Sequence, residues 1–226
     1  MDYLYHNTSI VRSIINEMKP FRSDTILLII ANPVDLMTSL AKELSGLPPA
    51  QVLGSGTFLD SIRLRGLLAD ETGLAPNSLD LYVLGTHGDS AVPAWSCAAV
   101  GGVPLEKALG LEKRVEESLV EECKHRSQNI VRAKGVTAFG IGSIVCSICV
   151  SVLLDRHNVR PVSHYQPQHG CCFSLPAVLG RKGIVQTVPV PLSAVEQEGI
   201  AQSVGALKSM LDRVQEEQKK GNRSTV

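Results

Sequence analysis

TILLIIANPVDLMTSLAKELSG, residues 25–46, decides the fold class. Its first seven residues are apolar almost without a break and rich in isoleucine. Such a run suits a β-strand covered on both faces, as in a parallel sheet. Pro33 ends the strand because it has no N–H to give a ladder. The remainder, DLMTSLAKELSG (35–46), carries apolar residues at helical spacing and closes on Gly46, a C-terminal stop. Upstream, TSIVRSIINEMK (8–19) sets Ile10, Ile14, Ile15 and Met18 on one helical face and ends before Pro20. Helix, buried strand, helix is the rhythm of an α/β fold.

Downstream the rhythm changes. QVLGSG (51–56) reads as a short strand entering a glycine turn, and TFLDSIRLRGLLADETG (57–73) as a periodic helix. LDLYVLG (79–85) alternates like a strand. Residues 111–134 form a polar-faced helix, and 141–154 an apolar helix expected to lie in the core. Residues 159–165, 171–179 and 183–190 suit an antiparallel meander, with RKG (181–183) at a hairpin turn. The last long helix opens on Ser193 and Glu196, spaced as a capping box. The front is therefore α/β and the back α+β. The three divisions expected are 1–53, 54–220 and a frayed tail at 221–226.

The composition bounds the function. The chain has 226 residues, 44% hydrophobic and 19% charged, with 22 basic and 22 acidic side chains. Zero net charge gives no general pull toward nucleic acid or an anionic membrane, so an anionic substrate must be held by local charge. No basic-then-apolar leader opens the sequence. The six cysteines are then expected as free thiols in a cytoplasmic protein. Cys146 and Cys149 form a lone CxxC without a second ligand pair, which argues against zinc and leaves no metal site. The uncharged run from Gly135 to Leu154 has the length of a membrane span, but its glycines and serines favour a core helix.

Three positions suit chemistry. Asp60 and Arg63 lie three apart on one helix face, just after the GSG turn. A surface ion pair would explain them equally well. Arg63 offers a planar fork for a carboxylate. His87, in LGTHGDSAVP (84–93), follows a predicted strand and has the pKa of a general acid–base. A loop histidine that only bonds its neighbours is the plainer alternative. If Asp60 meets His87, its carboxylate sets the ring tautomer. Ser90 or Ser55 would complete a hydrolytic triad, though neither sits in a G-x-S-x-G elbow. Asn32 lies at a strand's carboxyl end, where α/β sheets bind ligands, and also suits a plain turn.

Together IIANPVD (29–35), LSGLPPAQVLGSGTFLDSIRLR (44–65), YVLGTHGDSAVPAWS (82–96), KGVTAFGIGSIV (134–145), NVRPVSHY (158–165) and LPAVLGRKGI (175–184) resemble the lactate/malate dehydrogenase family, in its L-lactate branch. The resemblance implies the remnant of a doubly wound NAD-binding (Rossmann) domain, followed by an α+β catalytic domain. It implies His87 as the acid–base group and Asp60 as its carboxylate partner. Arg63 would grip the substrate carboxylate. Asn32 would stand between substrate and nicotinamide, Thr137 in the substrate pocket and Ser55 at the nicotinamide carboxamide. The implied substrate is a small 2-hydroxy or 2-oxo acid, the cofactor NAD and the assembly a homo-oligomer.

The departures are as specific. No G-x-G-x-x-G turn exists in this sequence to carry a pyrophosphate. The acidic residue for the adenosine ribose and the mobile loop with its arginine have no counterpart either. Roughly three βα units, each about 30 residues, would precede Met1 in the family pattern. Impaired NAD binding and weak or absent activity are therefore expected. The alternatives are a non-catalytic relative that docks on complete subunits, and a reading frame extending upstream. Thr86 stands where the family usually has Glu. Asp80 stands where allosteric members have a histidine, which predicts no activation by a sugar bisphosphate.

Overall fold

A computed structural model describes residues 2–223 of the chain. The front begins with α1 (Asp2–Glu17), longer at its start than expected and two residues shorter at its end. It packs on α2 (Val34–Ser45) through Thr8, Val11 and Ile15. That stripe differs from the expected one. Ile15 is buried, but Ile10, Ile14 and Met18 are exposed, because α2 meets the neighbouring side of the helix.

Between them runs β1 (Leu27–Ile29). It is parallel to β2 (Val52–Gly54), with Leu28 opposite Leu53. The expectation of a strand buried on both faces does not hold. All three β1 residues are half-buried, and Ile30 just beyond is 51% exposed. Leu27 and Ile29 do reach the cluster under α1 and α2, and Leu28 reaches the cluster on the other face. But β1 is the outermost strand, so among the described residues no strand covers its free edge.

α2 is the most deeply set helix. Every residue from Val34 to Ala41 is buried. Two hydroxyls in that stretch are satisfied locally: Thr38 donates to the Val34 carbonyl at 2.6 Å and Ser39 to the Asp35 carbonyl at 2.8 Å. The helix stops as predicted at Gly46, with φ of 70°.

α3 (Phe58–Thr72) leaves the β2 turn and buries Phe58, Leu64, Leu67 and Leu68. The expected strand at 79–85 divides in two. β3 (Leu79–Asp80) and β4 (Val83–Leu84) belong to different small sheets. β5 (Val92–Pro93) pairs with β4, while β6 (Ala99–Val100) pairs with β3 and with β7 (Val103–Pro104). α4 (Leu105–Leu109) and the polar α5 (Lys113–Lys134) follow.

α6 (Ala138–Leu153) corrects the expected core helix at 141–154. Ile144, Ile148, Ser151 and Val152 are buried, yet Phe139 is 84% exposed and Leu153 67%. The helix is apolar around its whole circumference but lies against α3 and the sheet on one side only. Cys146 and Cys149 are both on its exposed part, and all six cysteines are free thiols. Among the described residues no helix is long and apolar enough to cross a membrane, and no cluster of three or more His, Cys, Asp or Glu could hold a metal.

The meander forms as expected: β8 (Asn158–Gln166), β9 (Cys171–Gly180) and β10 (Gly183–Thr187). β10 ends earlier than residue 190, ahead of Pro189 and Pro191, which have no N–H for a ladder. β8 runs antiparallel to β2 and joins the two regions into one sheet, ordered β1-β2-β8-β9-β10. α7 (Ala194–Arg223) closes the chain. Its capping box is reciprocal: the Glu196 carboxylate accepts the Ser193 amide at 2.8 Å and Ser193 Oγ accepts the Glu196 amide at 3.3 Å. The helix continues three residues into the expected tail, whose residues 224–226 lie outside those described.

Candidate active site

The site begins where β2 turns. Gly56 has φ of 54°, and a Cβ there would stand 2.2 Å from Ser174 Oγ and 2.5 Å from the Ser163 amide. Only glycine fits so tight a turn against β8 and β9. The turn is pinned on both sides: the Thr57 amide donates to Ser174 Oγ at 3.0 Å, and the Thr57 hydroxyl to the Val83 carbonyl at 2.5 Å. These contacts fix the start of α3 and hence Asp60 and Arg63.

The histidine loop is anchored to the same strand. Gly85 and Ser174 exchange two backbone hydrogen bonds, of 2.9 and 2.8 Å. Thr86 is buried. Its hydroxyl bonds Ser203 on α7 and, at 3.0 Å, Ser90. Ser90 is thus engaged with hydroxyls, and no hydrogen bond joins it to His87.

His87 is held at two atoms. Its ring Nδ1 lies 2.6 Å from Asp60 Oδ2, and its backbone N–H donates to Asp35 Oδ2 at 2.7 Å. The ring is 29% exposed and Asp60 16%. Burial lowers the His87 pKa, but the Asp60 hydrogen bond and charge, aided by the charge of Asp35, outweigh it and leave the pKa raised. Asp35 is pushed up to about 6, chiefly by burial, with the Ser163 hydroxyl and the His87 amide pulling it back.

Arg63 reaches across to α5, where its Nη1 donates to Ser127 Oγ at 2.5 Å. A cavity of about 610 Å³ opens beside it. Five of the six predicted positions line that cavity: Asn32, Ser55, Arg63, His87 and Thr137. The sixth, Asp60, lies behind the ring and lines a smaller cavity of about 180 Å³ that also touches His87. Asp60 is thus placed to act through the imidazole. The Asn32 carbonyl also accepts a hydrogen bond from Asn7 at 2.9 Å.

Two participants escaped the sequence reading. Asp35 was legible only as a carboxylate in the first turn of an apolar helix. Ser127 carried no signal, since nothing in a polar helix marks one serine as the partner of an arginine 64 positions away.

Comparison with known proteins agrees along the chain. Residues 1–54 match the lactate/malate dehydrogenase NAD binding domain, and 57–218 the lactate/malate dehydrogenase alpha/beta C-terminal domain. L-lactate dehydrogenase A of Rhizopus oryzae is 43% identical over 90% of this chain and 64% of its own length. The L-lactate dehydrogenase of Kosmotoga olearia is 36% identical over 96% of this chain and 70% of its own. The structure of the minor L-lactate dehydrogenase of Enterococcus mundtii superposes with a TM-score of 0.89 at 33% identity, over 94% of this chain and 70% of that one. The chain thus spans about two thirds of the length of these relatives. With both domain types matched in order and the fold shared, the chain belongs to the lactate/malate dehydrogenase family.

Proposed function

We propose that this chain carries the proton-transfer and carboxylate-binding part of an L-lactate dehydrogenase site, for the reaction of (S)-lactate and NAD+ to pyruvate, NADH and a proton. The observation that carries this is the 2.6 Å His87–Asp60 pair beside a cavity that Arg63 also lines. Residues 54–220 supply the acid–base and carboxylate-binding groups, and residues 1–53 supply Asn32 on the cavity wall.

Asp60 accepts a hydrogen bond from Nδ1–H and so leaves Nε2 as the base. His87 then takes the hydroxyl proton of lactate, or returns it to pyruvate. The raised pKa favours the imidazolium, which suits the proton-donating direction. Arg63 binds the substrate carboxylate through the donors that Ser127 leaves free. Thr137 lines the same cavity and forms part of the substrate pocket. The open cavity and the polar Asn32 and Ser55 on its wall fit the nicotinamide end of NAD. NAD supplies the hydride acceptor; the protein supplies orientation and charge.

The 226 residues contain no G-x-G-x-x-G turn, so NAD binding by this chain alone is expected to be weak and turnover slow or absent. Exposed apolar residues on three helices, Ile14, Ile62 and Phe139, favour a second element of the reading, association into a homo-oligomer or with complete subunits. A cytoplasmic setting fits the free thiols.

The test compares the chain with its His87→Gln and Arg63→Gln variants. Pyruvate-dependent oxidation of NADH should fall by roughly 100-fold or more in His87→Gln. Binding of pyruvate, followed by NMR so that slow turnover is no obstacle, should weaken at least 10-fold in Arg63→Gln. Measurable wild-type oxidation that persists unchanged in the first variant, or unchanged binding in the second, overturns the assignment.

A further inference from the structure

Asp35 is the second residue of α2 and only 3% exposed. Its Oδ2 accepts the His87 amide at 2.7 Å, while its Oδ1 is buried without a hydrogen-bond partner. The Ser163 hydroxyl is close enough to ease the carboxylate's charge, yet that hydroxyl too lacks a hydrogen bond of normal geometry. A carboxylate buried with one oxygen unpaired costs free energy. The helix N-terminus offsets part of that cost. The groups that face it are His87 from its loop, Asp60 from α3, Ser163 from β8 and the thiols of Cys171 and Cys172 from β9. His87 is the one among these that can carry a positive charge.

We infer that Asp35 is a positioning residue of the proposed proton-transfer site: it fixes the His87 backbone by accepting its amide, and its negative charge favours the imidazolium without touching substrate. The inference rests on His87 being the acid–base group. Asp60 and Asp35 divide the work. Asp60 sets the rotation and tautomer of the ring, and Asp35 sets the backbone from which the ring projects. A histidine flanked by Thr86 and Gly88 gets little stiffness from its own sequence, so an anchor on its amide narrows where the imidazole can stand. Burial brings the Asp35 proton affinity up to about 6. The charge is therefore present at neutral pH and is lost as pH falls through about 6.

The experiment is an NMR titration of the His87 ring in the 226-residue chain, with the resonance assigned by its loss in His87→Gln. Asp35→Asn keeps an oxygen acceptor for the amide and removes the charge. In that variant His87 should bind its proton roughly 3- to 10-fold more weakly than in wild type. Pyruvate binding at Arg63 should change less than 2-fold, which separates the effect from general loosening of the fold. An unshifted His87 titration in folded Asp35→Asn overturns the inference. A second measurement holds even if the variant does not fold: the His87 amide resonance of the wild-type chain should move with an inflection near pH 6, and a flat amide overturns the inference as well. Neither readout uses turnover. If His87→Gln retains activity while Asp35→Asn shifts the His87 titration, the coupling stands and the proposed function fails.

Discussion

Leu28 and Leu53 stand opposite each other on neighbouring parallel strands, yet only one of them is in the core. Leu53 is fully buried because β2 has β1 on one side and β8 on the other. Leu28 is half-buried because β1 is outermost. The two strands are alike in composition and differ in neighbours. An apolar run therefore specifies that a strand forms, while its burial is settled by what pairs with its second edge. The same contrast recurs in both regions of the molecule. In each region the inner strands, β2 in front and β8 and β9 behind, have a strand on both sides, whereas the outermost ones, β1 and β10, have a strand on one side only among the described residues.

The largest expected effect tests this directly. Leu53→Ala should cost about 2–5 kcal/mol of stability, and Leu28→Ala no more than about 1.5 kcal/mol. Urea unfolding of the two variants measures both. Equal costs would break the comparison, and would mean that the β1 edge is covered in solution by another chain.

The second contrast is between the carboxylates on His87. Asp60 meets solvent at its edge, and Asp35 is sealed in. The Asp35 pKa is raised from 3.8 to about 6 in the folded protein. Between those values the folded state keeps a proton that the unfolded state has released. Wild-type stability should thus fall as pH rises through this window, by up to about 3 kcal/mol. Asp35→Asn lacks that slope. Its stability relative to wild type should climb from pH 4 to 6 and level off above. A constant difference across this range, measured by denaturation at several pH values, would show that Asp35 does not titrate as its burial implies.

Much of the site was legible because its parts are local. Asp60 and Arg63 share a face by helical spacing alone, and His87 is marked by the glycines and strand around it. What brings them together is not local. The Thr57–Ser174 and Gly85–Ser174 contacts tie two distant segments to one residue of β9, and a serine there reads as any strand serine. Asp35 was hidden for a similar reason: its partner is a backbone amide 52 positions away, and backbone amides have no signature. The errors in the fold share a cause. Hydrophobicity points to burial for both the apolar 141–154 stretch and TILLIIA, but it reports what a segment can bury and not what is there to cover it. The strand expected over 79–85 was right in propensity but divides where Leu81 and Tyr82 pass between two small sheets.

The smallest effect lies in the helix starts, where the two regions differ. α2 begins after Pro33 with no side-chain cap, while α7 begins with a reciprocal box. Glu196 does more than close that box. Its carboxylate also accepts the Ser96 amide at 3.0 Å and the Ser96 hydroxyl, tying α7 to the 3₁₀ turn at Trp95–Cys97. Ser193→Ala removes one acceptor for one amide and should cost about 1 kcal/mol. Glu196→Ala takes the carboxylate from two amides and a hydroxyl. The Ser193 amide keeps Ser96 Oγ and the Ser96 hydroxyl keeps the Pro191 carbonyl, but the Ser96 amide loses its acceptor and the tie to α7 goes with it, so the cost should be about twice as much. Thermal unfolding of the pair ranks them. If Ser193→Ala proves as costly as Glu196→Ala, the box itself and not its tie to Ser96 holds the start of α7, and the cap on the back region is a local device after all.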